Sequence, residues 1–334
     1  MTIRRFLVSL AALAAFAVAG SATAAPAASR IPGIVDIYTN LGYQGEAAAG
    51  TGIVLSSSGV VLTNNHVIRG ATSIKVVDLD NGHTYKAKVL GYALGQDIAA
   101  IQLTGASGLQ TARLGSSSDL KVGQLVTTHG NAGGVGGTPS SASGHVTGLG
   151  RSITARDDSG NSERLTGLIE TDADLQPGDS GGPMVNSAGQ VIGMDTAAGG
   201  SFTFESSASR GYAVPIGKAT KIVTRIVAGT AAQGIHIGKT AFIGVSVGGS
   251  DPYYWQAPSG VVVSDIVAGS PIARSGISAG DLLTSFDGKT VSSPTRLTSL
   301  VVTKHPGDAV KIRWLDQFGR AHTATVRLGE GPPQ

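Results

Sequence analysis

The sequence predicts a mostly β protein built in two units: a strand-rich first unit, then a smaller one mixing strands with helices. Three observations carry this. Short apolar runs recur about every ten residues between positions 31 and 216, parted by turn-forming Gly, Asn and Ser, the spacing of an all-β barrel or sandwich. Glycine is abundant, at 49 residues against 13 prolines, with no three-residue period, which fits many tight turns and excludes a collagen-like chain. The length of 334 residues exceeds one small domain and suits two.

The strand-like runs are Gly52–Leu55, Gly59–Thr63, Ser73–Val77, Tyr85–Leu90, Ile98–Leu103 and Gln190–Met194. Ser56–Gly59, Asp80–Gly82 and Ser187–Gly189 have the composition of hairpin turns. No strand–helix alternation is present, so a parallel α/β sheet is not expected. The first helix is expected over Lys218–Ala228, with Ile222, Val223, Ile226 and Val227 on one face and Gly229 ending it. The Gly/Ser-rich stretch 130–144 reads as a flexible surface loop, since no strand–loop–helix unit surrounds it to make a phosphate cradle. In the second unit, Ser270–Gly276 and Pro294–Thr303 read as helical.

Composition narrows the function classes. Hydrophobic residues make up 41%, enough for a sizeable core. Twenty-five Lys and Arg face 22 Asp and Glu with no basic cluster, which argues against a nucleic-acid partner. Cysteine is absent, which removes disulfides, thiolate catalysis and Cys-ligated metals. No histidine pair has zinc-ligand spacing, so neither metal nor cofactor is expected.

The first 24 residues read as an export signal: Arg4 and Arg5, an apolar run from Phe6 to Ala19, and the small-x-small site Ala22-Thr23-Ala24. The run is short for the roughly 20 residues of a bilayer span. The expected organisation is a signal peptide 1–24, a first domain 25–217, a helix and linker 218–240, a second domain 241–328 and a frayed tail 329–334. An exported chain without cysteine points to a bacterial source, secreted, periplasmic or associated with the cell envelope.

The strongest chemical signal is Gly178-Asp179-Ser180-Gly181-Gly182-Pro183. A serine hydroxyl attacks a carbonyl only when it stands clear of its backbone with a base beside it, and flanking glycines allow the sharp turn and the substrate's approach. Backbone N–H groups of the turn, from among Gly178, Asp179 and Ser180, can converge on the oxygen that becomes negative. The base must be a histidine. His66 sits where the strand Gly59–Thr63 breaks into a polar turn, a position beside a cleft; His83, His129, His145, His236, His305 and His322 lie in turns, the linker or the second unit. The imidazole needs a carboxylate to orient it. Asp97 precedes the apolar strand Ile98–Leu103, where a buried acid needs a hydrogen-bonding partner, although a strand-start turn would also explain it.

Together, Thr63-Asn64-Asn65-His66-Val67, Gln96-Asp97-Ile98-Ala99-Ala100-Ile101 and the GDSGGP string, in the order His, Asp, Ser, resemble trypsin-like serine proteases of the HtrA/DegP type, most of all small exported actinobacterial members. Phe242-Ile243-Gly244-Val245 resembles the carboxylate-binding loop of a PDZ domain, and Gly269–Ala273, Gly280–Leu283 and Asp287–Lys289 resemble its body. The resemblance covers about residues 33–328. It implies a double six-stranded β-barrel protease followed by an α+β PDZ domain, with His66, Asp97 and Ser180 as the catalytic residues. A peptide C-terminus would bind at Phe242–Val245; the helix face bearing Leu297, Leu300 and Val301 could wall its pocket, or those three could simply complete the domain core.

Two departures from the HtrA pattern stand out. Asp179 replaces the usual Asn; in digestive trypsins such an aspartate pairs with a new N-terminus, so here it needs another partner. Asp174, six residues before Ser180, replaces a small residue, and Asp195 in Asp195-Thr196-Ala197 replaces Asn. Asp174, Asp195, Thr196 and Ala197 are thus the expected substrate pocket, whose two acids could attract a basic side chain. HtrA proteases are commonly trimers held by the N-terminal segment; residues 25–40 carry Tyr38 as their one aromatic, so a homotrimer rests on the resemblance. The expected function is an exported serine endopeptidase acting on unfolded or misfolded protein, with peptide C-termini as partners of the second domain. The alternative is a non-hydrolytic chaperone on the same scaffold. An esterase is disfavoured, since that class usually builds Ser-Asp-His in another chain order on an α/β sheet.

Overall fold

Alternation of buried and exposed side chains sets the strands. In Ser73–Asp78 the residues Ile74, Val76 and Asp78 point inward while Ser73 and Lys75 face water, the two-residue period of a half-buried strand. The computed structural model describes residues 31–157, 162–196, 202–204, 210–248 and 259–334. The expected signal segment 1–24 and Ala197 lie outside them.

The first six strands are β1 (Ile34–Leu41), β2 (Glu46–Val54), β3 (Val60–Thr63), β4 (Ser73–Asp78), β5 (Thr84–Ala93) and β6 (Ile98–Leu103). They pair in the order β4-β1-β2-β3-β6, and β5 joins both β4 and β6, closing a six-stranded antiparallel barrel. A one-turn helix α1 (Asn65–Ile68) leaves the end of β3. A second barrel repeats the plan with β7 (Leu125–Gly130), β8 (Ser140–Asp157), β9 (Ser162–Thr171), β10 (Pro183–Val185), β11 (Val191–Thr196) and, after the short β12 (Phe202–Phe204) on the edge of β8, β13 (Gly211–Pro215). Pairing of β8 with β9 closes it. Closure pairs each of the six main strands of either barrel on both sides, and the short β12 adds to β8 alone.

Helix α2 (Ile216–Val227) starts two residues before the expected position. Its buried face is Ile216, Ala219, Val223 and Ile226, while Val227, expected on that face, is 54% exposed. Gly229, at φ +64°, ends it as expected: its N–H bonds the Ile226 carbonyl and the next N–H bonds Arg225, satisfying the last free carbonyls. The buried face of α2 packs into a shared apolar core with Ile53, Leu62 and Ile98 of the first barrel and Val185, Val191 and Met194 of the second. That core fixes the barrels against each other, and so fixes any cleft between them.

The expected linker is structured. Strand β14 (His236–Ile237) pairs with β5 on the outside of the first barrel. His236 is buried, its Nδ1 2.9 Å from the Val302 carbonyl and its Nε2 3.1 Å from that of Lys239.

The second unit holds β15 (Thr240–Phe242), β16 (Val245–Gly248), β17 (Val261–Ile266), β18 (Leu282–Phe286), β19 (Lys289–Thr290), helix α3 (Pro294–Val301), β20 (Ala309–Leu315), β21 (Ala321–Arg327) and β22 (Gly329–Gly331). The expected helix Ser270–Gly276 is a single 3-10 turn, Pro271–Arg274. Strands β16, β17, β18, β20 and β21 form one sheet over a core that includes Phe286, Ile312 and Trp314. Helix α3 is capped by Ser293, whose hydroxyl accepts from the Arg296 N–H at 3.0 Å.

The tail corrects an expectation. Residues 329–334 are not frayed: β22 pairs with β15, the Pro333 carbonyl accepts from Gly70 N–H at 2.8 Å, and Asn65 Nδ2 donates to the Gln334 main-chain oxygen at 3.0 Å. Backbone bonds to a neighbouring domain hold this Gly/Pro segment, a tie that its composition does not reveal.

Candidate active site

His66 lies on α1, immediately after β3 delivers the chain to the junction of the barrels. Asp97 ends a 3-10 turn, Leu94–Gln96, in the left-handed conformation at φ +52°, which aspartate tolerates better than most side chains. That turn presents its carboxylate to His66. Oδ2 accepts from His66 Nδ1 at 2.9 Å and from the Thr196 hydroxyl at 3.0 Å, while Oδ1 accepts from the His66 backbone N–H at 3.0 Å. Asn64 Nδ2 donates to the Asp97 carbonyl at 2.9 Å. Asp97 is fully buried, so its charge depends on these donors. With the Nδ1 proton committed to Asp97, Nε2 keeps a lone pair and is the basic atom.

Ser180 is held from three sides. Its carbonyl accepts from Thr51 N–H at 2.8 Å, Gly181 N–H donates to Asp195 O at 2.8 Å, and Asp195 N–H donates to Gly182 O at 2.8 Å. The next residue on β11, Thr196, is the one bonded to Asp97. The nucleophile turn and the His–Asp pair therefore share one strand as a brace. The glycines of the string answer to space. At Gly178 (φ +101°) and Gly181 (φ +86°) a Cβ would fall 2.1 Å from the carbonyl oxygens of Asn131 and Thr51.

The turn's N–H groups divide. Asp179 N–H is engaged by the Gln176 carbonyl at 3.0 Å, which removes it from the expected set of oxyanion donors. The Pro177 carbonyl accepts from Gly133 N–H at 2.7 Å; across a trans peptide this points the Gly178 N–H the opposite way, away from Gly133. The partner that Asp179 lacked in the sequence is now identified. Its Oδ1 accepts from the Ser140 hydroxyl at 2.7 Å and its Oδ2 from Gln176 N–H at 2.9 Å. The stretch 130–144 corrects another expectation: β8 begins at Ser140, and Asn131 is 4% exposed behind the nucleophile turn.

The two expected pocket acids differ in environment. Asp174 is exposed, its Oδ1 accepting from Gln176 Nε2 at 2.8 Å. Asp195 is fully buried, and neither carboxyl oxygen has a hydrogen-bond partner among the described residues. Thr196 faces Asp97, so alternation turns Asp195 to the opposite face of β11, the face on which Gly193 meets Ile169 and Met184 inside the second barrel. Burial, and then the charge of Asp179, push the Asp195 carboxyl well above its ordinary range.

Between the unfolded value near 4 and the raised folded value, the native chain holds a proton that the unfolded chain has released, so stability falls as pH rises. The stability of Asp195→Asn relative to wild type should therefore rise with pH between the unfolded value and the raised folded value. Urea denaturation between pH 4 and 7 measures it; a constant difference would mean that Asp195 is ionised in the native state.

In the second unit, Gly244 takes φ +85° and Ile243 enters the core. The ring of Phe242 stacks on Tyr43 of the first barrel at 5.1 Å. Leu297, Leu300 and Val301 do not form the groove wall expected of them: all three are 5% exposed or less, within the core. The face of α3 carrying Pro294, Thr295, Thr298 and Ser299 instead lines a cavity of about 510 Å³ with Val245–Val247 of β16. Gln44 and Arg69 of the first barrel and the tail residues Pro332–Gln334 close its other sides. Sequence alone offered Leu and Val as the apolar face; the domain core uses them first.

Two closed six-stranded barrels meeting at a His–Asp pair and a Gly-flanked serine define a trypsin-like serine protease fold, here joined to a second, PDZ-like unit. Comparison with known proteins agrees. Residues 50–194 match the trypsin-like peptidase domain and residues 241–320 the PDZ domain. Serine protease PepD of Mycobacterium tuberculosis is 33% identical over 317 residues, covering 91% of this chain and 65% of that protein. Putative serine protease HhoA of Synechocystis is 32% identical, covering 80% and 67%. The periplasmic pH-dependent serine endoprotease DegQ of Escherichia coli is 34% identical, covering 79% and 55%. The solved HtrA-type protease AlgW with tripeptide superposes with a TM-score of 0.51 at 27% identity, covering 91% of this chain and 95% of that one. The chain belongs to the HtrA-type family of trypsin-like serine proteases with a PDZ domain. It spans between about half and two thirds of the length of these curated relatives.

Proposed function

We propose that the chain is an exported serine endopeptidase that cuts unfolded or misfolded protein through an acyl-enzyme, and that its PDZ domain captures peptide C-termini. The observation that carries this is the His66 imidazole, held through Nδ1 on the buried Asp97 carboxylate and braced by Thr196 to the strand that holds the Ser180 turn. In this reading His66 Nε2 takes the Ser180 proton as the hydroxyl attacks the scissile carbonyl. The N–H groups of Gly178 and Ser180 receive the developing oxyanion, and His66 returns the proton to the leaving amine. A chaperone that never cuts would have no need of a buried carboxylate aligned on that ring.

Of the four residues expected at the substrate pocket, the exposed Asp174 is the one proposed to meet a basic substrate side chain, since Asp195 and Thr196 are fully buried. Export rests on the leader-like segment 1–24 and on relatives named as periplasmic. Among the described residues no helix is long and apolar enough to cross a membrane. A homotrimer remains part of the proposal on the family resemblance, with sedimentation equilibrium as its measure.

A fluorophosphonate probe should label Ser180 stoichiometrically, and casein should be cut. An unlabelled, correctly folded protein would overturn the enzyme reading. For the PDZ domain, peptides ending in Val, Leu or Ile should bind the full chain at micromolar strength, about −8 kcal/mol. Their C-terminal amides should lose most of that affinity, because the loop N–H groups lose their anion. Calorimetry giving equal affinities for acid and amide would eliminate carboxylate capture.

A further inference from the structure

The helix that carries His66 is a single turn of four residues, too short to hold its shape by backbone bonds alone. Its N-cap residue Asn64 makes no side-chain cap; Asn64 Nδ2 donates instead to the Asp97 carbonyl at 2.9 Å. Helix α1 therefore depends on partners outside itself. Val67 and Ile68 are buried in the core of the first barrel, and the His66 N–H is held by Asp97. The residues that bracket His66 have a different partner. Asn65, fully buried, donates from Nδ2 to the Gln334 main-chain oxygen at 3.0 Å, and Gly70, just past the helix, donates its N–H to the Pro333 carbonyl at 2.8 Å.

The chemistry of Pro332-Pro333-Gln334 suits that contact. Proline fixes φ at about −65° and has no N–H, so two in succession lose little freedom on docking and bury no unsatisfied donor. Pro333 is buried. Gln334 N–H donates to the Tyr92 hydroxyl of β5 at 3.3 Å, and that hydroxyl lies 3.2 Å from the hydroxyl of Thr240 on β15. Gln334 Nε2 donates to the Pro332 carbonyl at 3.2 Å, which folds the segment on itself. On its other side the segment leaves β22, which is paired with β15. These three residues are thus fixed at both ends while they grip α1.

We propose that residues 332–334 are a positioning strap for the reaction: by bonding Asn65 and Gly70 they hold α1 on both sides of His66 and so set its ring against Ser180. This rests on the catalytic reading of His66 given above. The strap acts through α1 and not on the substrate.

Asp97 leaves this task open. It grips His66 at two points, Nδ1 and the backbone N–H, and so leaves the tilt about the line joining them to the rest of α1. Nε2 lies off that line, so a tilt carries it toward or away from Ser180. A misplacement of about 1 Å at reacting atoms can cost about 10²-fold in rate. A segment that merely tethered the second unit would steady that unit and leave His66 as it is, so the two roles differ at His66.

The test reads His66 directly, in Ser180→Ala, where no turnover is needed. Deleting residues 332–334 leaves the β15–β22 pair in place. Amide exchange followed by NMR should show Gly70 N–H losing protection, which reports the broken bond. The His66 N–H should lose about 10-fold in protection as well, and the downfield proton of its Nδ1–Asp97 bond should broaden, which together report the positioning. In the active protein the deletion should lower kcat, and with it the rate of fluorophosphonate labelling, about 10-fold with KM nearly unchanged. Asn65→Ala removes one of the two bonds; it should lower kcat by a smaller factor and serves if the deletion folds poorly. Added to the deletion, Asn65→Ala should cost nothing further, because its partner is gone. Unchanged protection at His66 when Gly70 is exposed, wild-type kcat in Asn65→Ala, or a further loss when it is added to the deletion would each overturn the proposal. A parent Ser180 that no fluorophosphonate labels would overturn the catalytic reading, and this proposal with it, whatever the exchange shows.

Discussion

Ser180→Ala is expected to abolish turnover, and His66→Ala to come close to it, because the nucleophile and its base act as a unit whose separate deletions cost about 10⁶-fold in kcat. Asp97→Asn should cost about 10⁴-fold. Its carboxylate accepts from three donors: the His66 backbone N–H, His66 Nδ1–H and the Thr196 hydroxyl. An asparagine has one acceptor oxygen and turns an NH₂ toward the ring or toward Thr196. The imidazole then favours the tautomer with its proton on Nε2, which cannot accept one from Ser180. Ser180→Ala should leave the fold intact, since it removes one oxygen at a site 5% exposed. Casein hydrolysis, with thermal melts beside it, reads all three variants. Near-wild-type proteolysis by folded Ser180→Ala would end the serine-protease reading.

Gly178→Ala should rank next in effect while leaving all three chemical groups in place. Alanine is strained at φ +101°, and its Cβ would fall 2.1 Å from the Asn131 carbonyl oxygen, a backbone atom with no rotamer to escape through. The turn must shift, carrying the Gly178 N–H off the position of the oxyanion. A loss of about 10²–10³-fold in kcat with KM little changed is the size expected for one oxyanion donor. Gly248→Ala is the control, since a Cβ there meets nothing within 4 Å. If Gly178→Ala retains wild-type kcat, Gly178 is not an oxyanion donor. Fluorophosphonate labelling rates give the same comparison without a peptide substrate.

Much of the site was legible because its chemistry is local in the chain. The GDSGGP string holds the nucleophile and the glycines its turn requires. His66 and Asp97 stand at strand ends, and that position is visible in the apolar runs of β3 and β6. Strands β2 to β6 and β11 were legible for the same reason, since a two-residue period or a short apolar run is written within six residues, whereas β1 and most strands of the second barrel were not picked out. Helix α2 shows the limit of local reading. Its existence and its glycine stop were clear, but whether Ile216 or Val227 faced inward depended on how two barrels present their surfaces to it.

The sequence by itself determined most strands of the first barrel and one of the second, a nucleophile turn, a base and an orienting acid in an identifiable order, and a second unit with its loop at Gly244. The tertiary structure alone decided what each polar group has for company. It gave Asp179 the hydroxyl of Ser140, left Asp195 with no partner among the described residues, sent Leu297, Leu300 and Val301 into the core, and tied Pro333 and Gln334 to the turn beside His66. The physical reason is the range of the forces. Backbone periodicity and turn chemistry act over a few residues and leave their record in consecutive letters. Hydrogen-bond partnership acts between residues 39 to 269 positions apart in these cases, and with desolvation is set only when closed barrels and a shared core bring those positions together.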